Sequence, residues 1–135
     1  MTKDRIENRK NARAYFSEKE GIEAVLLMKK PDSTEITVSI LNISAGGVGL
    51  MMRRDDKALI SPRDRLDVKS IKGPNPLSEI SDVTIEVMYI LDFQKGVGVY
   101  MGCKFSDLPK DLSKKLDQFV HRKLQTLDGD SFQIY

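Results

Sequence analysis

Residues 83–91 read VTIEVMYIL and residues 97–105 read VGVYMGCKF, and these two stretches decide the fold. In each stretch apolar side chains recur at every second position, which is the period of a β-strand with one face in a core. The inward positions of the first stretch are then Val83, Ile85, Val87, Tyr89 and Leu91. Gln94-Lys95-Gly96 between the stretches reads as a turn. The pair therefore predicts an antiparallel hairpin.

Four stretches upstream of this hairpin also have strand character. Residues 22–28 and 48–52 are apolar runs, residues 36–41 alternate in polarity, and residues 65–71 fit a short strand. Short loops join most of the six strands, which favours an antiparallel barrel over a parallel sheet, since parallel strands need long crossover connections. The sequence therefore predicts a mainly β protein built on a six-stranded antiparallel β-barrel.

The C-terminal part changes its hydrophobic period. Apolar residues at helical spacing are Leu112, Leu116, Phe119, Val120 and Leu124. This stripe predicts one amphipathic α-helix that packs on the barrel. Gly129 stands where a chain can leave a helix. We therefore expect the barrel and its helix to occupy residues 15–128, with a tail at 129–135.

Length and composition limit the class of protein. The chain has 135 residues, 40% of them apolar and 31% charged, which suits one globular domain. No apolar run approaches the roughly 20 residues that span a bilayer, so membrane insertion is not expected. One cysteine (Cys103) and one histidine (His121) form neither an internal disulfide nor a common zinc site. We therefore expect a cytoplasmic protein without a metal.

The N-terminus is basic although the net charge is only +2. Its cations are Lys3, Arg5, Arg9, Lys10 and Arg13, against the acidic residues Asp4 and Glu7. We interpret residues 1–14 as a flexible basic arm. Such an arm suits a small phosphate ligand or a nucleic-acid backbone, because cations near phosphates form charge-assisted hydrogen bonds. A solvated tail without a partner is the alternative from charge alone.

Two short motifs stand out against this background. Arg9 and Arg13 form an RxxxR pattern, and residues 42–47 form the pattern [DN]xSxxG. In extended chain, residues four apart lie about 13 Å apart, so two arginines can reach separate acceptors on one dinucleotide. A guanidinium bonds phosphate oxygens or guanine O6 and N7 through two donors. In the second motif, short polar side chains and glycines either close a turn or let a flat ligand approach the backbone.

The order and spacing of these motifs resemble the PilZ family. Residues 100–105, with a glycine and a phenylalanine before the terminal helix, are similar to a late strand of that family. The resemblance implies a PilZ-type barrel that binds cyclic di-GMP. The implied ligand-binding residues are Arg9, Arg13, Asn42, Ser44, Gly46 and Gly47. The family usually has aspartate at position 42 and often arginine at position 8, where this chain has Asn42 and Asn8, so ligand affinity and stoichiometry stay open.

The resemblance implies a receptor and adaptor, not an enzyme. Binding of cyclic di-GMP would change the conformation and signal to an unidentified downstream protein, with no cofactor and no DNA involved. No nucleophile, base and orienting group can be assembled from the motif spacing. Cys103 is expected to be a buried small side chain. The alternatives are a small barrel that binds single-stranded nucleic acid and a degenerate PilZ module that only binds proteins.

Overall fold

The computed structural model of the chain describes residues 12–28, 33–92 and 98–134, and for residues 126–134 it describes the backbone alone. The described residues form seven strands, one long helix and three short 3-10 helices. The strands are β1 (Ala14–Tyr15), β2 (Glu23–Met28), β3 (Thr34–Ile43), β4 (Gly47–Arg53), β5 (Arg65–Lys72), β6 (Val83–Leu91) and β7 (Gly98–Phe105). The helix is α1 (Lys110–Ile134), and the 3-10 helices are Glu18–Glu20, Arg54–Leu59 and Leu77–Glu79.

All the strand pairs are antiparallel and the sheet closes on itself. The strand order is β1-β3-β2-β5-β6-β7-β4, and a further pairing of β3 with β4 completes the ring. Strands β2 to β7 therefore form the predicted six-stranded barrel, and the predicted fold class is confirmed. The extra strand β1 pairs with the end of β3, beyond the residues that pair with β2.

Alternating side chains fill the barrel. Leu26, Leu50, Ile85 and Met101 come from four different strands, and each is at most 1% exposed. Burying a side chain of this size contributes about 1.5–3 kcal/mol, which makes this interior the main source of stability. Residues on the opposite alternation of each strand lie on the outer wall, which is the surface accessible to a ligand.

One prediction about the core is wrong. The alternation of β6 predicted that Tyr89 and Leu91 face inward, but these side chains are 46% and 42% exposed. The pairing of β6 with β7 shifts its register between Val87 and Tyr89. An extra residue in one strand turns every following side chain to the other face of the sheet. The bulge therefore places both side chains on the outer wall.

Helix α1 packs its predicted stripe on the barrel. Leu116 and Val120 are fully buried, and Leu112, Phe119 and Leu124 are partly buried against the core. The helix continues through Gly129 to Ile134, so the structure has no tail beginning at residue 129. A glycine inside a helix costs about 1 kcal/mol, but the helix can continue through it. Gly129 was therefore a wrong indicator of the helix end. No helix in the described part of the chain is long and apolar enough to span a membrane.

Candidate ligand-binding site

The two sequence motifs meet where β1 pairs with β3. Tyr15 lies opposite Asn42 in this pairing, which brings the residue before β1 alongside the second motif. The Arg13 Nη1 atom donates a hydrogen bond to Asn42 Oδ1 at 2.6 Å. The two residues are 29 positions apart in the chain, so this contact depends on the fold. The fold thus brings Arg13 of the first motif into contact with Asn42 of the second.

Asn42 is also bonded on its other side. Its Nδ2 atom donates to the Tyr100 hydroxyl of β7 at 3.3 Å, and the residue is only 6% exposed. A bulge at Leu41, where the pairing of β3 with β4 shifts register, turns Asn42 onto the outer wall. The side-chain amide is therefore fixed, with its oxygen towards Arg13 and its nitrogen towards Tyr100.

A row of paired residues runs across five strands on this wall. In order from β1 to β6, the row is Tyr15, Asn42, Gly49, Gly102 and Tyr89. The two glycines in the middle leave room for rings. A Cβ atom on Gly49 would overlap the Tyr100 hydroxyl, and one on Gly102 would overlap the Tyr89 ring. The Tyr89 ring therefore lies next to Gly102 and the Tyr100 hydroxyl next to Gly49, and the two ring centroids are 6.1 Å apart.

A cavity of about 560 Å³ opens over this row. Its lining residues are Arg13, Tyr15, Leu41, Asn42, Met51, Tyr89, Leu91 and Tyr100. The volume is within the range of small-molecule sites. Among the described residues, this lining includes one cation, three tyrosines and no carboxylate. Such a combination suits an anionic ligand with flat rings, because the guanidinium attracts the charge and the aromatic faces accept the rings.

The rest of the second motif closes its own turn. Ser44 Oγ accepts hydrogen bonds from the backbone N–H groups of Gly46 at 3.1 Å and Gly47 at 3.2 Å, and Ser44 is 2% exposed. None of these three residues lines the cavity beside Arg13. Their roles in ligand binding stay predictions, whereas the turn that they form is part of this structure.

Gly47 has a structural role in this turn. It does not have a positive φ angle, which among the described glycines is found only at Gly21. Gly47 instead lies where β4 approaches β7, and a Cβ atom there would overlap the Cys103 carbonyl oxygen. Close approach of two strands therefore requires glycine at position 47.

The family model described as PilZ domain matches residues 7–122. The chain belongs to the PilZ family. A search of curated protein sequences found no match.

Solved PilZ structures have the same fold. MotI/DgrA, the Bacillus subtilis inhibitor of motility, matches with a TM-score of 0.65 and 19% identity, over 88% of this chain and 52% of that one. The PilZ domain of Escherichia coli YcgR, solved with c-di-GMP, matches with a TM-score of 0.62 and 11% identity, over 92% of this chain and 97% of that one. The K. pneumonia MrkH–c-di-GMP complex matches with a TM-score of 0.64 and 12% identity, over 91% of this chain and 55% of that one. This PilZ chain thus spans about half the length of MotI and of MrkH.

The PilZ motifs are described only in part. Arg9 and most of the predicted arm at residues 1–14 lie outside the described residues, so the structure describes the RxxxR motif only at Arg13. Strand β1 begins at Ala14, the last residue assigned to the arm. The first strand of this PilZ domain therefore includes one residue that was assigned to the arm.

Tyr89 and Tyr100 are among the residues lining the cavity that the sequence did not predict. Tyr100 stands between Val99 and Met101, both fully buried, so strict alternation already puts it outside. Tyr89 is on the wall only because of the bulge after Val87. The alternation of the PilZ sequence therefore places Tyr100 on the outer wall, whereas Tyr89 is placed there only by the pairing of β6 with β7.

Cys103 is buried beneath this wall, and burial raises the pKa of its thiol from 9.0 to about 12. The thiol is neutral at physiological pH, which fits the predicted small core residue. Below pH 9 the thiol is neutral in both the folded and the unfolded state, so the stability that its burial contributes is fully present. Between pH 9 and pH 12 only the unfolded state ionises, so this stability is lost as the pH rises. We expect the free energy of unfolding, measured with denaturant, to fall across this interval. The free energy of unfolding of the Cys103→Val variant should fall less over the same interval. An equal fall in both proteins would contradict the raised pKa of Cys103 as its cause.

Proposed function

We propose that the chain is a non-enzymatic receptor for cyclic di-GMP, which changes conformation on binding and signals to a protein partner. The observation that carries the proposal is the hydrogen bond from Arg13 to Asn42. This bond joins one residue of each motif at the edge of a cavity with a cationic and aromatic lining. The YcgR and MrkH domains with the same fold were solved with c-di-GMP, which supports this choice of ligand.

The chemistry of the ligand fits that of the cavity. Cyclic di-GMP carries two phosphates and two guanines, so it offers both negative charge and flat rings. The Arg13 guanidinium has five N–H donors in a fixed plane, so it can bond the ligand while its bond to Asn42 persists. Guanine offers O6 and N7 to the same donors. In this proposal Arg13 fixes the ligand, and Asn42 fixes Arg13.

Contacts beyond β1 offer a route for the signal. Phe16, three residues after Arg13, stacks on Phe119 of α1 with ring centroids 6.3 Å apart. Lys123 lies 5.1 Å from the centroid of the Phe16 ring and 3.1 Å from Glu20. A cavity of about 610 Å³ beside these rings gives them space to move. A ligand that moves Arg13 would pull on β1 and change the surface of the helix for a partner.

A second function, the binding of single-stranded nucleic acid, is favoured by the exposed tyrosines. Tyr15 and Tyr89 are 53% and 46% exposed on the wall beside Arg13. Aromatic faces bind the bases of single strands without regard to sequence. Among the residues that the structure describes, Arg13 is the only cation lining this cavity, whereas a strand of nucleic acid is bound along a positively charged groove. Cyclic di-GMP therefore remains the better choice.

Calorimetric titration separates these functions. We expect saturable heat with cyclic di-GMP, much weaker binding of GTP, and none of a single-stranded DNA oligonucleotide at matched ionic strength. The fitted molar ratio also gives the ligand stoichiometry. Binding of the oligonucleotide alone would favour the second function, and no binding of any ligand would leave a protein-interaction module.

A further inference from the structure

Exposed apolar side chains are concentrated at one place on the barrel. The large hydrophobic side chains exposed among the described residues are Tyr15, Leu59, Tyr89 and Leu91. All except Leu59 line the cavity beside Arg13. An apolar patch on the surface of a soluble domain loses contact with water when a ligand or a partner covers it, so such a patch marks a binding surface.

The patch has a flat floor. Gly102 pairs with both Gly49 and Tyr89, so two neighbouring positions in the row have no side chain. The Tyr89 ring covers Gly102, since three of its atoms would overlap a Cβ atom there. Tyr89 is nevertheless 46% exposed, so part of this side chain is accessible to a ligand.

The second ring of the patch is held in place. The Tyr100 hydroxyl accepts the hydrogen bond from Asn42, and its ring is inclined at 33° to the Tyr89 ring. Two rings at this angle, 6.1 Å apart, form a shallow aromatic surface with Arg13 at its rim. Arg13 and Tyr100 share Asn42 as a bonding partner, so the cation and the second ring have a fixed relative position.

We propose that Tyr89 and Tyr100 form a stacking surface for a guanine base of the bound cyclic dinucleotide. The inference rests on the proposed function and adds residues outside both motifs. Arg13 supplies hydrogen bonds and charge at the rim, while the tyrosines supply contact area to the face of the base. The larger ring system of a purine covers more of this surface than a pyrimidine, so the tyrosines select for base size and leave the recognition of guanine to Arg13.

A purely structural role for Tyr89 is the competing explanation. The ring also shields Gly102 and contacts Tyr100, which stabilises the barrel whether or not a ligand binds. The two roles differ in what a leucine at position 89 does. Leucine still covers the glycine with apolar atoms, but it has no aromatic face for a base.

The test compares Tyr89→Leu with Tyr89→Phe by calorimetric titration of cyclic di-GMP. We expect the leucine variant to bind about 5- to 150-fold more weakly, which is the range for the loss of one stacked base. The phenylalanine variant keeps the ring and should recover most of this affinity. Leu59→Ala removes an exposed apolar side chain outside the cavity and should bind like the unaltered protein. Thermal unfolding of each free variant detects any loss of fold.

A second readout reports stacking directly. In protein with isotope-labelled tyrosines, saturating cyclic di-GMP should shift the ring signals assigned to Tyr89 and Tyr100 upfield through the ring current of the base. If Tyr89→Leu binds like the unaltered protein while Arg13→Ala does not bind, the stacking surface is wrong and the receptor function stands. If the unaltered protein does not bind cyclic di-GMP, both proposals are overturned.

Discussion

The Arg13→Ala variant is expected to lose binding of cyclic di-GMP in calorimetric titration. A charge-assisted hydrogen bond contributes about 1.5–3 kcal/mol, and a guanidinium that bonds the ligand through two donors loses both. We therefore expect a cost of about 3–6 kcal/mol, which is a loss of affinity of roughly 150- to 25,000-fold. The variant also leaves Asn42 without its bond from Arg13, so the second motif loses the residue that connects it to the first.

Two further variants make this result specific. Lys69→Ala removes the same charge from β5, where Lys69 bonds Asp82 at 2.9 Å, and it should bind like the unaltered protein. Arg13→Lys keeps the charge but loses the planar donors, so its affinity should fall between the two. Equal affinity of Arg13→Ala and the unaltered protein would remove Arg13 from the site.

The Gly47→Ala variant is expected to destabilise the barrel in the absence of any ligand. The added methyl group would overlap the Cys103 carbonyl oxygen, so β4 and β7 must separate or bend. Overpacking of this kind costs about 1–3 kcal/mol. For a domain of this size each kcal/mol lowers the thermal midpoint by roughly 3–6 °C, which differential scanning calorimetry of the free protein detects.

The neighbouring glycine provides the matched control. Gly46 is exposed and lies in the same turn, so Gly46→Ala should change the thermal midpoint much less than Gly47→Ala. If Gly47→Ala keeps the thermal midpoint and loses only ligand affinity, Gly47 contacts the ligand and its structural role is wrong. Glycine at position 47 is explained either by the close approach of two strands or by contact with the ligand. The comparison of the two variants distinguishes these explanations, which a binding measurement alone does not.

The barrel could be predicted because alternation acts along each strand separately. Polar and apolar residues alternate along β3, and β7 repeats the pattern from Val99 to Cys103. Strands of this kind have one buried face, and short connections make them antiparallel neighbours. The stripe of α1 follows from its helical period in the same way. These features depend on residues close together in the sequence.

The candidate site could be predicted only in part because bulges depend on pairing. The bulge at Leu41 turns Asn42 towards Arg13, and the bulge after Val87 turns Tyr89 outwards. Neither has a glycine or proline that marks it in the sequence. The motif pattern also does not distinguish Ser44, which closes its turn, from Asn42, which lies in the cavity. That distinction depends on strands far apart in the chain.

The tyrosines that line the cavity have a spectroscopic consequence. The chain contains four tyrosines and no tryptophan, so its intrinsic fluorescence comes from tyrosine alone. Tyr15, Tyr89 and Tyr100 line one cavity, and three of the four emitters therefore stand at the candidate site. Tryptophan dominates the emission of most proteins, whereas most of the emitting side chains of this protein lie beside Arg13. A ligand that enters this cavity changes the emission of the whole protein, so binding can be followed without a label.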